Sequence, residues 1–158
     1  MSEVLTLEDA LRRRAAARAL QQTYVFTNGC FDVIHPGHVE LLHQARRLGH
    51  YLVVAINSDR SVRALKGPGR PLQDEDARAK VLAALQDVDG VVVFDEDTPL
   101  ELIRKLQPDV LVKGGDYTVD QVVGREEVER AGGRVVIVPL VPGHSSSSVV
   151  RRVQQAAS

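Results

Sequence analysis

The chain has 158 residues and carries 20 Lys plus Arg against 21 Asp plus Glu, a formal charge of −1. That length suits one domain able to bury a core without disulfide or metal staples, and 44% apolar with 26% charged residues exclude a disordered chain. Near-neutrality excludes a protein that coats nucleic acid or an anionic membrane, and a single cysteine, Cys30, excludes an internal disulfide framework. No apolar run approaches the ~20 residues needed to span a bilayer, and Met1-Ser2-Glu3 does not open a signal peptide, so cytoplasm is the expected location.

Thr6 to Leu20 predicts a helix, with Thr6 and Asp9 resembling a capping box and Ala, Leu and Arg following. Residues 1–22 read as a helical extension ahead of a domain over 23–158. The extension either packs on that domain or joins a homodimer interface, and its Arg12-Arg13-Arg14 cluster could instead be simply solvated. Thr23 to Asn28 is a β-branched and aromatic strand. Helical spacing resumes over 37–48, with Val39, Leu41, Leu42, Ala45 and Leu48 on one face. Tyr51 to Ile56 is an almost continuous apolar run, the mark of a strand buried on both faces. A Gly/Pro-punctuated loop over Leu65–Pro71 precedes a helix from about Asp74 to Leu85. Val91–Phe94 is the third strand, and Thr98-Pro99 opens a helix as Thr cap and first-turn Pro. Val110–Val112 is the fourth strand, a short helix lies near Gln121–Ala131, Val135–Val138 is the fifth strand, and a helix closes the chain over 146–155.

Strands alternating with helices at these spacings predict an α/β fold, a doubly wound parallel sheet of about five strands. Ligands of such sheets bind beyond the carboxyl ends of the strands, where strand order reverses. The informative loops are therefore 28–38, 57–72, 95–98, 113–118 and 139–148.

The first of these carries the sharpest signal. Asn28-Gly29-Cys30-Phe31-Asp32 and then His35-Pro36-Gly37-His38 stand between the first strand and a helix. Gly29 would let backbone approach a ligand, and Gly37 marks a helix start whose N–H groups suit phosphate. His35 and His38, three residues apart, can face one ligand and donate to phosphate oxygens. A zinc site is the competing reading, but no Cys/His pair completes a ligand pattern with Cys30, and the G-x-G-x-x-G dinucleotide fingerprint is absent.

This string, Thr27 to Asp32 with His35-x-Gly37-His38, resembles the signature of the nucleotidyltransferases of the cytidylyltransferase type. Within that family the resemblance is strongest to the bacterial heptose 1-phosphate adenylyltransferase branch, over about residues 23–153. Asn57-Ser58-Asp59, Leu65-Lys66-Gly67 with Arg70-Pro71, Asp97-Thr98-Pro99 and Leu111 to Tyr117 carry the branch-level likeness. The branch occurs alone or fused behind a sugar kinase, and with no kinase-like sequence before residue 23 the stand-alone form is expected. The resemblance implies a Rossmann-like fold and transfer of AMP from ATP, with Mg²⁺, to a sugar 1-phosphate. The products would be pyrophosphate and an ADP-heptose for lipopolysaccharide core or another surface glycan.

Four basic residues, Arg60, Arg63, Lys66 and Arg70, stand without an acid over 60–73. Arg60 and Arg63 read as a solvated face. Lys66 and Arg70 flank Gly67-Pro68-Gly69 and could close over phosphates as a mobile lid does. By resemblance Lys66 contacts the reacting phosphates, and Arg78 matches a phosphate-binding arginine. His35, His38, Lys66 and Arg78 are thus the candidate catalytic residues. Nucleotide-binding candidates are Asn28, Gly29, Cys30, Phe31, Asp32 and Gly37, then Lys113, Gly115 and Asp116, then Ser145, Ser146 and Ser147. Arg70, Asn57 and Asp59 are candidates for the acceptor.

Lys113-Gly114-Gly115-Asp116 ends a strand, where two glycines permit close approach of a base or ribose and Asp116 could accept from a hydroxyl. Gly143 to Ser148 precedes the last helix; hydroxyls and N–H groups there form a second phosphate cradle, and by resemblance serines replace a Ser-Thr-Thr-like element. Cys30 reads as a packed small side chain rather than a nucleophile. His43 and His50 look like ordinary positions, and Asp95-Glu96-Asp97 like a solvated cluster. No protein metal site is expected; Mg²⁺ comes with the triphosphate and its waters.

In the expected reaction a phosphate oxygen of the acceptor attacks the α-phosphorus of ATP. A phosphate monoester needs no general base, so catalysis is positioning and electrostatic stabilisation. The H-x-G-H pattern reads neither base nor acceptor. CTP with glycerol phosphate, ATP with a flavin or pantetheine phosphate, and a non-catalytic nucleotide sensor remain alternatives.

Overall fold

The computed structural model describes residues 3–115, 117–139 and 145–157. Six parallel strands form one sheet in the order β1-β4-β3-β2-β5-β6. They are β1 (Glu3–Leu5), β2 (Tyr24–Gly29), β3 (Tyr51–Asn57), β4 (Gly90–Phe94), β5 (Val110–Gly114) and β6 (Arg134–Val138). The helices are α1 (Leu7–Ala19), α2 (Pro36–Arg46), α3 (Asp59–Lys66), α4 (Glu75–Ala83), α5 (Leu100–Leu106), α6 (Arg125–Arg130) and α7 (Ser146–Ala157). No helix of the described residues is long and apolar enough to cross a membrane.

Alternation along the strands builds two cores. Tyr24, Phe26, Val53 and Ala55 face one side, where Leu102, Ile103 and Leu106 of α5 and Val128 of α6 pack. Val25, Leu52, Val54 and Ile56 face the other, against Leu42 and Ala45 of α2 and Ala79 and Leu82 of α4. Successive residues of a strand point to opposite faces, so burial on both requires the near-continuous apolar runs seen in the sequence. The strand order reverses between β2 and β5, which pair from Val25↔Val110 to Thr27↔Val112. Buried Thr27 ties this seam, its hydroxyl donating to Val112 O at 2.8 Å. Beyond the carboxyl ends of β2 and β5 lies the crevice such sheets use for ligands.

Three elements depart from expectation. The apolar runs predict about five strands; the sixth is Glu3–Leu5, too short to show a pattern, which pairs with β4 at the sheet edge. The extension is thereby part of the sheet. Its helix starts at the Thr6 cap, with the hydroxyl accepting from Asp9 N–H at 3.1 Å. Arg14, within the triple-arginine cluster, is not solvated. It donates to Leu106 O, Gln107 O and Asp109, and lies 5.1 Å from the Tyr24 ring centroid. Second, the expected loop after β3 contains α3, capped by Ser58, whose hydroxyl accepts from Ser61 N–H; a basic eight-residue segment hides its period. Third, α5 begins at Leu100 with Pro99 in the cap position, and Thr98 accepts from Leu100 N–H only at 3.5 Å. The Thr98 cap expectation is corrected accordingly.

Candidate active site

The crevice is a cleft of about 530 Å³. Asn28, Gly29, Cys30, Phe31, His35, Gly37 and His38 line it from the β2–α2 loop, Asn57 and Lys66 from the ends of β3 and α3. Lys113 and Gly114 line it from β5, and Ser145 and Ser147 from the start of α7. Segments far apart in sequence thus converge on one wall.

The two histidines form its centre. Their rings stack with centroids 3.7 Å apart, and Phe31 packs against His38 at 5.0 Å. His35 is the cap of α2, its Nδ1 accepting from Gly37 N–H at 3.1 Å. The accepting Nδ1 assigns the His35 proton to Nε2, so the far edge of the ring is a donor. His38 Nδ1 lies 3.3 Å from the His35 N–H. Burial pushes the His38 imidazole down to about 4, with His35 and Lys66 adding to the effect and a hydrogen bond to the Val33 backbone opposing it. Near neutral pH His38 is therefore an uncharged hydrogen-bonding group, and positive charge in the cleft comes from lysines.

Lys66 ends α3 exposed on the cleft rim. Gly67 and Gly69 follow with φ of +91° and +88°. A Cβ at either position would have nothing within 4 Å, so this turn requires glycine for conformation rather than space. Lys113 sits across the cleft with Nζ 5.3 Å from the Tyr117 ring centroid. Burial lowers its ammonium below the usual lysine range, and Cys30 acts in the opposite sense.

Several expected roles change. The helix-start cradle at Gly37 is closed, because its N–H is held by His35 Nδ1 and the next N–H, of His38, bonds His35 O at 2.9 Å. Gly29 is small for a different reason than ligand approach: a Cβ there would meet the Phe31 ring at 2.9 Å. Phe31 itself sits at φ 50°, a left-handed conformation unfavourable for a bulky residue. Cys30 donates weakly to Asn57 Oδ1 at 3.7 Å, and burial raises its thiol despite nearby Lys66 and Arg78, so it remains a packed thiol.

Asp32, Arg70, Asp59 and Arg78 do not line the cleft among the described residues, and each makes contacts within the fold. The Asp32 carboxylate, without exposed surface, accepts from Leu72 and Gln73 N–H and from Arg70 Nε at 2.9 Å. Burial favours its neutral form, but those backbone donors and Arg70 outweigh it and hold the carboxyl below its ordinary range. Asp32 and Arg70 therefore clasp the 70–73 segment to the histidine loop. Arg78, expected to touch phosphate, is 1% exposed. It donates to Cys30 O at 2.8 Å, Asn57 O at 2.7 Å, Gln73 O at 3.0 Å and Asp59 Oδ1 at 2.9 Å. It thereby joins the ends of β2 and β3 to the start of α4, with Asp59 as its ion-pair partner. Gly115, at φ +122°, turns the chain after β5 without lining the cleft. Asp116 and the Ser146 side chain lie outside the described residues; the Ser145 hydroxyl caps α7, accepting from Ser148 N–H at 2.9 Å.

Residues beyond the sequence-derived set also line the cleft: Leu41, Leu65, Asp97, Thr98, Tyr117 and Gln121. Among the described residues Asp97 is the one acid on the wall. No three His, Cys, Asp or Glu side chains among them converge to hold a metal.

A doubly wound sheet with imidazoles and lysines converging at its switch point defines a nucleotide-phosphate-handling α/β protein. Its particular class follows from comparison. Residues 26–153 match the Cytidylyltransferase-like family, and the chain belongs to it as a nucleotidyltransferase. It is 63% identical over 134 residues to the Bifunctional protein HldE of Gluconobacter oxydans, covering 85% of this chain and 28% of that protein. It is 54% identical over 155 residues to the HldE of Mesorhizobium japonicum, covering 98% and 31%. The chain thus spans under a third of these relatives' length. Among solved structures, the lipopolysaccharide core biosynthesis protein of Thermoplasma volcanium aligns with a TM-score of 0.61 at 27% identity, covering 76% of this chain and 97% of that one. A pantoate-beta-alanine ligase from Francisella tularensis, at 15% identity and a TM-score of 0.60 over 96% of this chain and 72% of its own, shares the fold.

Proposed function

We propose that the protein transfers AMP from ATP to a sugar 1-phosphate, D-glycero-β-D-manno-heptose 1-phosphate, giving ADP-heptose and pyrophosphate. The observation that carries the reading is the stacked His35–His38 pair at the switch point, flanked by Lys66 and Lys113. The branch-level residues and the likeness to HldE proteins and a lipopolysaccharide core biosynthesis protein support the choice of acceptor.

The triphosphate lies across the imidazoles, where His35 Nε2–H donates to a phosphate oxygen. An acceptor phosphate oxygen forms a bond to the α-phosphorus in line with the departing β-phosphate oxygen, and that Pα–O bond breaks. The attacking phosphate is largely dianionic at neutral pH, its second pKa being about 6, so no side chain has to remove a proton. Lys66, at the end of α3, meets the charge gathered by pyrophosphate, while Lys113 holds the opposite side. Donors fixed in advance stabilise that charge without reorganising, an effect worth on the order of 10²–10³ in rate for each. Mg²⁺ enters as the partner of ATP, as part of the substrate. ATP supply supports a cytoplasmic location.

Pyrophosphate release tests the proposal. ATP with the heptose 1-phosphate is expected to turn over far faster than ATP or CTP with glycerol phosphate, flavin phosphate or pantetheine phosphate. Preference for one of those pairs would reassign the substrates, and tight ATP binding with no turnover on any acceptor would make the protein a sensor.

A further inference from the structure

We propose that Asp97 reads hydroxyl groups of the acceptor and gives the cleft its preference for a polyol phosphate. The inference rests on the nucleotidyl-transfer reading above. Both substrates bring phosphate, and His35, His38, Lys66 and Lys113 provide for it. A carboxylate on the same wall repels phosphate, so Asp97 is suited to an uncharged, hydroxyl-bearing part of a substrate. A sugar without its phosphate is a neutral polyol, and a carboxylate can accept from two neighbouring hydroxyls at once.

Its placement separates acceptor from base. Asp97 follows β4, on the same half of the cleft as Leu65 and Lys66. The opposite half, beyond β5, presents Tyr117, an amide from Gln121 and apolar Val122, surfaces suited to a flat ring. Arg60 links the Asp97 loop to the start of α3. Ser58, the cap of α3, donates to Asp95 Oδ1 at 2.6 Å; Arg60 bonds Asp95 Oδ2 at 3.1 Å and reaches Asp97 Oδ1 at 3.8 Å. The Asp97 side chain nevertheless remains 77% exposed, leaving it accessible to a ligand.

Asp97→Ala and Asp97→Asn test the assignment through separate Michaelis constants for heptose 1-phosphate and ATP. Losing hydrogen bonds to a charged acceptor corresponds to about a 10- to 100-fold rise in the heptose 1-phosphate KM, with the ATP KM within about 2-fold and the melting temperature retained. Asn, with one acceptor oxygen, should fall between. A rise in the ATP KM instead, or no change in either, would overturn it. If the wild-type protein does not turn over heptose 1-phosphate, the proposed function falls on that result. Calorimetric titration of heptose 1-phosphate into wild type and Asp97→Ala, each holding a non-hydrolysable ATP analogue, then decides the present point. Weaker binding by the variant supports it, and equal affinity, including no binding by either, overturns it.

Discussion

Replacing Arg78 separates a residue that shapes the cleft from one that touches phosphate. The guanidinium has no exposed surface and donates to three backbone carbonyls and Asp59, joining the ends of β2 and β3 to the start of α4. In Arg78→Ala the carbonyls of Cys30, Asn57 and Gln73 lose their charged donor, and Asp59 loses its counter-ion. Hydrogen bonds to charged groups contribute about 1.5–3 kcal/mol each, and breaking a buried pair costs about 3–5 kcal/mol. Water entering the vacated space recovers part of that sum, so the expected loss is about 4 kcal/mol, roughly 8–16 °C in melting temperature for a domain of this size. Thermal unfolding, followed by pyrophosphate release measured well below the new midpoint, gives the two readouts. A large fall in stability is expected, with KM for both substrates raised as both loops loosen. Arg78→Lys should rescue little, since one ammonium cannot span carbonyls on three segments. A melting temperature within about 3 °C of wild type together with about a 10²-fold loss in kcat would refute the positioning role and restore direct phosphate contact.

His38→Ala is expected to lower kcat by about 10²-fold or more in a folded protein; wild-type turnover would remove His38 from the chemistry. Because the fold depresses the His38 imidazole to about 4 from 6.5, the unfolded chain binds the extra proton first as pH falls. Its contribution is complete above about pH 6.5 and is lost toward pH 4, at most about 3 kcal/mol before solvent screening. Urea midpoints between about pH 4.5 and 7 should show that slope in wild type and lose it in His38→Gln. Lys66→Ala, at an exposed helix end, should cost kcat with an unchanged melting temperature; a stability loss with intact turnover would make Lys66 structural. Arg14→Ala should remove about 3 kcal/mol by freeing α1 from the end of α5, with kcat unaltered, and equal melting temperatures would contradict the described clasp.

The sheet was legible because β3 is apolar at nearly every position and flanked by turn residues, a pattern only a strand covered on both faces needs. His35 and His38 were legible because a Pro-Gly helix start between them leaves little freedom in where they lie. What escaped depended on contacts distant in sequence. β1 has three residues and takes its identity from β4, far along the chain. Arg78 and Arg70 have the charge of phosphate ligands and Asp32 stands in the signature string, and nothing local reveals that Arg78 and Asp32 bond backbone groups some 20 to 50 residues away. Asp97 reads as one member of a solvated acidic triplet until folding of the β4–α5 loop brings it to the cleft while Asp95 is bound by Ser58 and Arg60. Charge alone could not sort scaffold from site.

The most direct test is a matrix of pyrophosphate release, four nucleoside triphosphates against a set of phosphorylated acceptors, run with wild type and His38→Ala. One dominant signal is expected, from ATP with D-glycero-β-D-manno-heptose 1-phosphate, and the substitution should abolish it. A dominant signal from any other pair, or the same signal in His38→Ala, would contradict the proposed transfer and the role of its histidine pair.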